Sequence, residues 1–264
     1  MENLKSGDHV ALAKNFSWSD EQLFDYECPF KQEISKNNTL TCTICGRDDL
    51  KSLSPHLKRH HKLSGPKYLK QYDKKLLHVN LVNNFKIPKV MTDELARVLG
   101  YLSSEGTLSK NKRNIVFCNS NKNLLDDFAK CFNGLFGTSY KPFYTLNKFE
   151  ANSQKIWSFL NWLGLEPVEA KEKRVPQIMN TAPKSCAIQF LKSYWEGDGS
   201  YNLIITGSPM MARDLKLLLL RIGIPTGLHV DYDTGGFSVG NPKYSIQFTG
   251  YICRNFFTRI QTPH

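Results

Sequence analysis

One order of elements occurs twice along this chain, and that repeat constrains the fold more than any other feature. After Thr92, a capping residue, Leu95, Val98, Leu99 and Leu102 recur at helical spacing until Gly106 stops the run. The pattern then predicts a hairpin over 107–118, turning at Lys110–Lys112. A helix through Leu124, Leu125, Phe128, Phe132, Leu135 and Phe136 follows. A second hairpin is expected over 139–152 with its turn near Asn147, then a helix through Ile156, Phe159, Leu160 and Leu163 ending at Gly164. Residues 165–182 are polar, carry Pro167 and Pro176, and read as a linker. The order then returns. A helix through Ile188, Leu191, Tyr194 and Trp195 ends at Gly199, and a strand covers Tyr201–Thr206. A helix opened by Ser208-Pro209 ends at Gly223, strands cover 226–232 and 243–249, and a short helix covers Tyr251–Ile260.

The leading helices of the two repeats end alike. Glu105 precedes Gly106 and Asp198 precedes Gly199, 93 residues apart. Gly100 and Ser193 each stand six positions before those glycines. Small residues let two helix backbones approach closely, and a crossing there lays Glu105 and Asp198 side by side. A carboxylate at a helix C-terminus opposes the macrodipole, and two together repel each other. A divalent cation between them resolves both problems. Hard oxygen ligands suit Mg²⁺, which also takes up phosphate and water, the arrangement of metal-assisted phosphodiester hydrolysis. The competing reading is two amphipathic helices that end by chance in Glu-Gly and Asp-Gly.

The stretches Leu95–Gly106 and Phe190–Gly199 resemble the paired motifs of LAGLIDADG homing endonucleases. The text Asp198–Tyr201 and Arg213–Ile224 resembles the endonuclease domains of inteins and their free-standing relatives. The resemblance spans about residues 88–262 and implies an α+β fold of two pseudo-symmetric αββαββα halves, each laying an antiparallel sheet into the DNA major groove. It implies that Glu105 and Asp198 are the Mg²⁺-binding catalytic carboxylates, that double-stranded DNA is the partner, and that both strands are cut with a stagger at a long near-palindromic site. A glutamate replaces the commoner aspartate at 105, and Ser193 stands where glycine is usual. Tyr201–Thr206 is too short for a full hairpin, so a reduced second sheet is expected. Family sites also hold basic residues that neutralise the phosphate; Lys243, opening the final strand, is the candidate here, against a reading as a solvated lysine.

Upstream, Cys42 and Cys45 precede His56, His60 and His61. Two thiolates at CxxC spacing with two imidazoles match tetrahedral Zn²⁺, against the alternative of a reduced turn beside surface histidines. So short a segment has too little core to fold without metal. The stretch Ser52–Ser64, with Tyr68 and Tyr72, resembles the zinc finger of bacterial Ros/MucR regulators, and that resemblance implies Cys42, Cys45, His56 and His61 as ligands and DNA contact through Lys58 and Arg59.

The domains expected are a segment of unassigned fold over 1–38, a zinc-finger module over 39–73, a connector over 74–91, halves over 92–164 and 183–264, and the linker between them. Trp18, Leu23, Phe24, Tyr26 and Phe30 equip the first segment to dock on a neighbour. A formal charge of +11 favours a polyanionic partner. The start of the chain has no apolar core or small-residue cleavage site of a secretory signal. The densest apolar run, Leu217–Leu220, ends at Arg221, far short of the ~20 residues that span a bilayer. Seven cysteines, an odd number, point to a reducing compartment. Together these fit a monomer in the cytoplasm or on the nucleoid. An RNA-binding intron maturase and a catalytically inactive DNA-binding regulator are the rival functions; retained carboxylates argue for cleavage.

Overall fold

The computed structural model describes residues 17–28, 40–50, 52–72, 85–200, 203–232 and 242–248. The chain divides into two compact units, Met1–Cys28 with Lys86–His264, and Pro29–Phe85.

The smaller unit holds helices α1 (Leu53–His60) and α2 (Gly65–Gln71) and a Leu40–Leu50 bridge. Its core is Cys42, Leu53, Leu57 and Tyr68, flanked by Leu40, Leu50, Leu63 and Tyr72.

In the larger unit, α3 (Asp93–Ser104) is capped by Thr92, whose hydroxyl accepts from the Leu95 N–H at 3.2 Å. It leads into β1 (Gly106–Leu108) and β2 (Asn114–Cys118), then α4 (Lys122–Phe136), β3 (Lys148–Asn152) and α5 (Gln154–Trp162). The three strands form one antiparallel sheet in the order β1-β2-β3. Apolar residues alternate along β2 and β3, so Ile115, Phe117, Phe149 and Ala151 face inward. They meet the aromatic face of α4, where Phe117 stacks on Phe128 at 4.7 Å and Phe149 lies edge-on to it at 5.0 Å.

The second hairpin expected over 139–152 supplies only β3. Residues Tyr144–Leu146 form a 3-10 turn, Asn147 takes a left-handed φ of 50°, and Phe143 makes a single bridge to Lys148. The ladder does not continue before Phe143, where the Tyr140 N–H and carbonyl are instead taken by the Asn133 side chain at 2.9 and 2.8 Å. This sheet therefore has three strands among the described residues, against the four expected.

The later stretch runs α6 (Lys184–Asp198), β4 (Gly199–Ser200), β5 (Leu203–Thr206), α7 (Pro209–Arg221), β6 (Thr226–Tyr232) and β7 (Pro242–Phe248). Its sheet is antiparallel with order β4-β5-β7-β6. The short β4–β5 pairing joins only Gly199 to Ile204 and Ser200 to Leu203. Ser208 caps α7 by accepting from the Met211 N–H at 3.1 Å, with Pro209 in the first turn. The helix expected over Tyr251–Ile260 lies outside the described residues. Residues 165–182, read as linker, contain short 3-10 helices at Ala170–Glu172 and Gln177–Asn180.

Helices α3 and α6 form the centre of this unit. A Cβ placed on Gly100 would lie 2.0 Å from Ser193 Oγ and 2.4 Å from the Phe190 carbonyl oxygen. Beside this seam Arg97 donates to Asp127 of α4 at 2.6 Å and to Glu196 of α6 at 2.9 Å, and the Tyr101 hydroxyl joins both carboxylates. The early segment docks on the same unit. Trp18 lies under the Arg221 guanidinium at 3.9 Å, Gln22 donates to the Ile178 carbonyl at 3.3 Å, and Phe24 and Tyr26 pack edge-on against Phe159. Phe30 lies outside the described residues. Leu23 forms an antiparallel bridge with Val90, while the Phe24 N–H donates to the Lys89 carbonyl at 2.8 Å. Among the described residues of the chain, no helix is long and apolar enough to cross a membrane.

Candidate functional site

Glu105 is the C-cap of α3, and Asp198 is the last residue of α6. The close seam brings these ends together: a Cβ on Gly197 would lie 2.4 Å from Ser104 Oγ and 3.7 Å from Glu105 Cγ. Burial pushes Asp198 up to about 6, and the nearby Glu105 charge adds to the rise. Burial also raises Glu105, opposed by the Asn119 amide and by Lys173. The Tyr194 hydroxyl, one turn before Asp198, hydrogen-bonds that carboxylate.

Lys173 supplies the compensating charge. Its ammonium donates to the carbonyl oxygens of Ser103 at 3.2 Å, Ser104 at 2.9 Å and Gly106 at 2.7 Å, satisfying the open end of α3. Burial lowers the Lys173 pKa, while Asp198 and Glu105 oppose that shift. The ammonium thus spends its hydrogens on carbonyls and leaves the carboxylate oxygens to other partners. A cleft of about 840 Å³ opens here, lined by Ser104, Lys173, Tyr194, Asp198, Thr206 and Lys243.

This donor set fits a divalent cation. Two crowded carboxylates at helix C-termini present hard oxygens and a local excess of negative charge, which one buried lysine offsets in part. The carboxylate oxygens of Glu105 and Asp198 are the ligands available for such an ion.

The smaller unit gathers a different donor set. One ligand atom from each of Cys42, Cys45, His56 and His61 lies within 4.8 Å of every other. His56 and His61 approach at 3.2 Å between Nε2 atoms, Cys42 Sγ lies 3.5 Å from His61 Nε2, and Cys45 Sγ lies 3.3 Å from His56 Nε2. Tetrahedral zinc at its usual bond lengths sets these edges at about 3.3 Å for N–N and about 3.5 Å for S–N. His60 is exposed and lies tilted against the His56 ring, 4.9 Å between centroids, without joining the cluster. A turn closed by the Gly46 N–H on the Cys42 carbonyl, with Gly46 at a φ of +75°, orients the thiols.

Residues 92–156 match the LAGLIDADG-like domain.

That match takes in α3 with Glu105 and ends inside α5; the LAGLIDADG-like stretch is thus a mixture of helices and antiparallel strands. In curated sequences, 175 residues are 27% identical to a stretch of a DNA polymerase of Thermococcus kodakarensis, covering 61% of this chain and 10% of the relative. Another 28% identity over 148 residues is found with a subunit of the A-type ATP synthase of Pyrococcus abyssi, covering 53% of this chain and 14% of that one. The chain spans roughly a tenth of the length of these relatives. Among solved structures, the homing endonuclease I-DmoI in complex with DNA and Ca aligns with a TM-score of 0.49 and 14% identity, over 65% of this chain and 91% of that chain.

The structure brings Glu105, Asp198 and Lys243 to one region of the larger unit, and Cys42, Cys45, His56 and His61 to one cluster in the smaller. Sequence reasoning missed Lys173, Asn119 and Tyr194. Lys173 falls in a stretch without periodicity, and Asn119 looks like an ordinary residue before a helix. Tyr194 alone gave a signal, lying four residues before Asp198 on the same helical face.

Proposed function

We propose that this chain is a site-specific, metal-dependent endonuclease that hydrolyses double-stranded DNA at a long, near-palindromic site. The observation that carries this reading is the meeting of Glu105 and Asp198 at the ends of crossing helices beside Lys173. Glu105 and Asp198 would hold Mg²⁺, which when bound activates water and offsets charge on the scissile phosphate. Tyr194 orients Asp198 from within α6. Lys173 holds the last turn of α3 in register and lends positive charge to the cleft. Lys243 lines that cleft with Asp198 and is assigned to the phosphate.

Residues 92–164 and 183–264 act as two pseudo-symmetric halves, joined through 165–182, and one chain supplies both carboxylates, so a monomer suffices. Polymerase activity does not carry over from the relatives. A similar stretch, about a tenth of each, occurs in a DNA polymerase and in part of an ATP synthase, so it belongs to neither activity. Residues 39–73 form a zinc-finger-like module on Cys42, Cys45, His56 and His61 that binds DNA beside the cut site through Lys58 and Arg59, both exposed on α1.

Selection of cut molecules from a randomised duplex library, with Mg²⁺ present, tests the reading. The parent should yield a defined cut site. Glu105→Gln and Asp198→Asn should bind the recovered duplex and leave it intact. Normal double-strand cleavage by either variant would refute the site.

A further inference from the structure

The first sheet carries a half-exposed aromatic ring on its outer face. Ile115 and Phe117 of β2 and Phe149 and Ala151 of β3 point inward, so alternation puts Asn114, Cys118, Lys148 and Glu150 on the opposite side. Phe143 joins that outer face. It is bridged antiparallel to Lys148, its N–H donating to the Lys148 carbonyl at 2.7 Å and its carbonyl accepting from the Lys148 N–H at 3.3 Å. Directly opposed residues of an antiparallel pair share a face. The Lys148 ammonium lies over the Phe143 ring, 5.8 Å from its centroid, and is held by Glu150 at 2.7 Å, which accepts from the Asn114 amide at 3.1 Å.

Phe143 is 50% exposed, and Leu146, whose N–H donates to the Phe143 carbonyl at 3.0 Å, is 62% exposed. The turn that carries them is pinned on both sides. The Tyr144 hydroxyl hydrogen-bonds Asp126 of α4, and the Asn147 carbonyl accepts from the Asn119 N–H at 2.9 Å. Apolar side chains fixed in water forgo their burial, and a partner that covers them recovers that free energy. The position of the ring is specific as well. Lys148 is paired with Cys118, whose N–H donates to the Glu105 carbonyl at 3.3 Å, so Phe143 stands at the end of the sheet beside the carboxylates.

We propose that Phe143 reads a thymine close to the cut by packing on its C5-methyl group. This rests on the endonuclease reading, in which the outer face of this sheet lies in the major groove of the duplex. All base edges there offer hydrogen-bonding groups, but only thymine adds a methyl. A side chain without a polar atom discriminates between bases through that methyl. Lys148 covers one side of the ring and draws the polyanion to it, which leaves the open side to the base.

The test uses the zinc-loaded full chain and the duplex recovered by selection, with Mg²⁺ withheld so that affinity is read without cleavage. Each thymine is replaced in turn by uracil, which pairs identically and lacks only the methyl. The parent should bind one substituted duplex about fourfold more weakly, the share of one methyl group taken out of water. That thymine should lie within a few base pairs of a cut. Phe143→Ala should bind the unsubstituted duplex more weakly by about the same factor and should not respond to uracil at that position. Phe143→Leu, still apolar, should keep the response. Both variants should unfold at the temperature of the parent, because the ring is already half in water. Indifference of the parent to uracil at every position near the cuts, or a response that survives in Phe143→Ala, would overturn the proposal while cleavage by the parent keeps the endonuclease reading intact. If no duplex is selected and cut, the endonuclease reading falls and this inference falls with it.

Discussion

Gly100 of α3 and Ser193 of α6 meet so closely that a single methyl group on Gly100 would lie 2.0 Å from Ser193 Oγ. Trimming the serine would not make room, because the Phe190 carbonyl oxygen would be 2.4 Å from the same methyl. Ser193 is fully buried and donates to the Gln189 and Phe190 carbonyls at 3.0 and 3.1 Å, so its hydroxyl is spent inside its own helix. Gly100→Ala must therefore part the helices. Overpacking of this kind costs about 1–3 kcal/mol, a fall in Tm of roughly 3–10 °C for a chain of this size. The same separation moves Glu105 from Asp198, so cleavage should fall more steeply than stability. Thermal unfolding and single-turnover cleavage, compared on the one variant, check both parts.

Asp198 gives a prediction in pH. Burial and Glu105 hold its folded pKa near 6, above the ordinary value of 3.8. An acid with a raised folded pKa binds more protons folded than unfolded between those values, so its contribution to stability falls as pH rises through that window. Above pH 6 the folded, metal-free protein carries the full cost of the buried charge. Asp198→Asn should then be more stable than the parent by on the order of 1–2 kcal/mol in chelator. The gain should shrink as pH falls toward 4 and vanish below it. Added Mg²⁺ should narrow the gap at neutral pH by stabilising the parent alone. Equal Tm values at pH 8 in chelator would show that the two carboxylates do not crowd each other.

Much of this site was legible because it rests on short-range periodicity. The apolar spacing of Leu95, Val98, Leu99 and Leu102 fixes which face of α3 is buried, and the terminal glycines fix where Glu105 and Asp198 stand. The same logic failed where contacts are long-range. Lys173 reaches Glu105 and the α3 carbonyls across some seventy residues of sequence, from a stretch whose backbone follows no period. The lost strand before Phe143 gave no such signal: the Tyr140 backbone is held by the Asn133 side chain of α4, a contact the alternation could not show. The docking of Trp18, Phe24 and Tyr26 was open to expectation only as a tendency of aromatic residues; the partners Arg221 and Phe159 required the fold.

Lys173 should be indispensable for cleavage and dispensable for binding. Lys173→Met keeps the length of the stem but strips the donors from the Ser103, Ser104 and Gly106 carbonyls. It also removes the positive charge that opposes the upward shifts of Glu105 and Asp198, so the pair holds a proton to higher pH. A fall of about a hundredfold or more in the single-turnover rate is expected, the scale seen when one preorganised electrostatic contact is deleted. Affinity for the same duplex with metal withheld should stay within about twofold, since an ammonium held by backbone carbonyls has no hydrogen left for a direct phosphate contact. A comparable loss in Lys243→Met would support its assignment to the phosphate; an unaffected Lys243→Met would remove that assignment.

The smaller unit should depend on its ion for folding. Four fully buried or nearly buried apolar residues, Cys42, Leu53, Leu57 and Tyr68, are too few to order a unit of this length. Metal analysis of purified protein should find about one zinc per chain. Cys42→Ser with Cys45→Ser should lose it, as should His61→Ala, whereas His60→Ala should keep it because His60 stands outside the cluster. Zinc retained by the double serine variant would refute the ligand set.

The last prediction concerns how the smaller unit contributes to binding. Residues 17–28 and 86–91 flank it, and both belong to the larger unit, where Leu23 and Val90 pair antiparallel and the Met91 N–H donates to the Gln22 carbonyl at 2.9 Å. The chain thus leaves and returns through one paired base, directly ahead of α3. A truncation starting near Phe85 would remove the unit but also strip Trp18, Phe24 and Tyr26 from Arg221 and Phe159, confounding affinity with folding. Replacing residues 29–85 by a ~12-residue Gly/Ser linker spans the gap and keeps the docked segment. That segment of sequence holds eleven Lys and Arg against four Asp and Glu, so it carries +7 of the net +11. Its removal should weaken duplex binding, shorten the footprint and flatten the dependence of affinity on salt, because fewer counterions are released. The cut site and the rate at saturating protein should persist, since Glu105, Asp198 and Lys173 all lie outside the deleted stretch and a tethered second binding unit adds effective concentration without chemistry. Footprinting and salt titration on the deleted protein decide the matter: an unchanged footprint and salt slope would mean that the smaller unit does not touch the duplex.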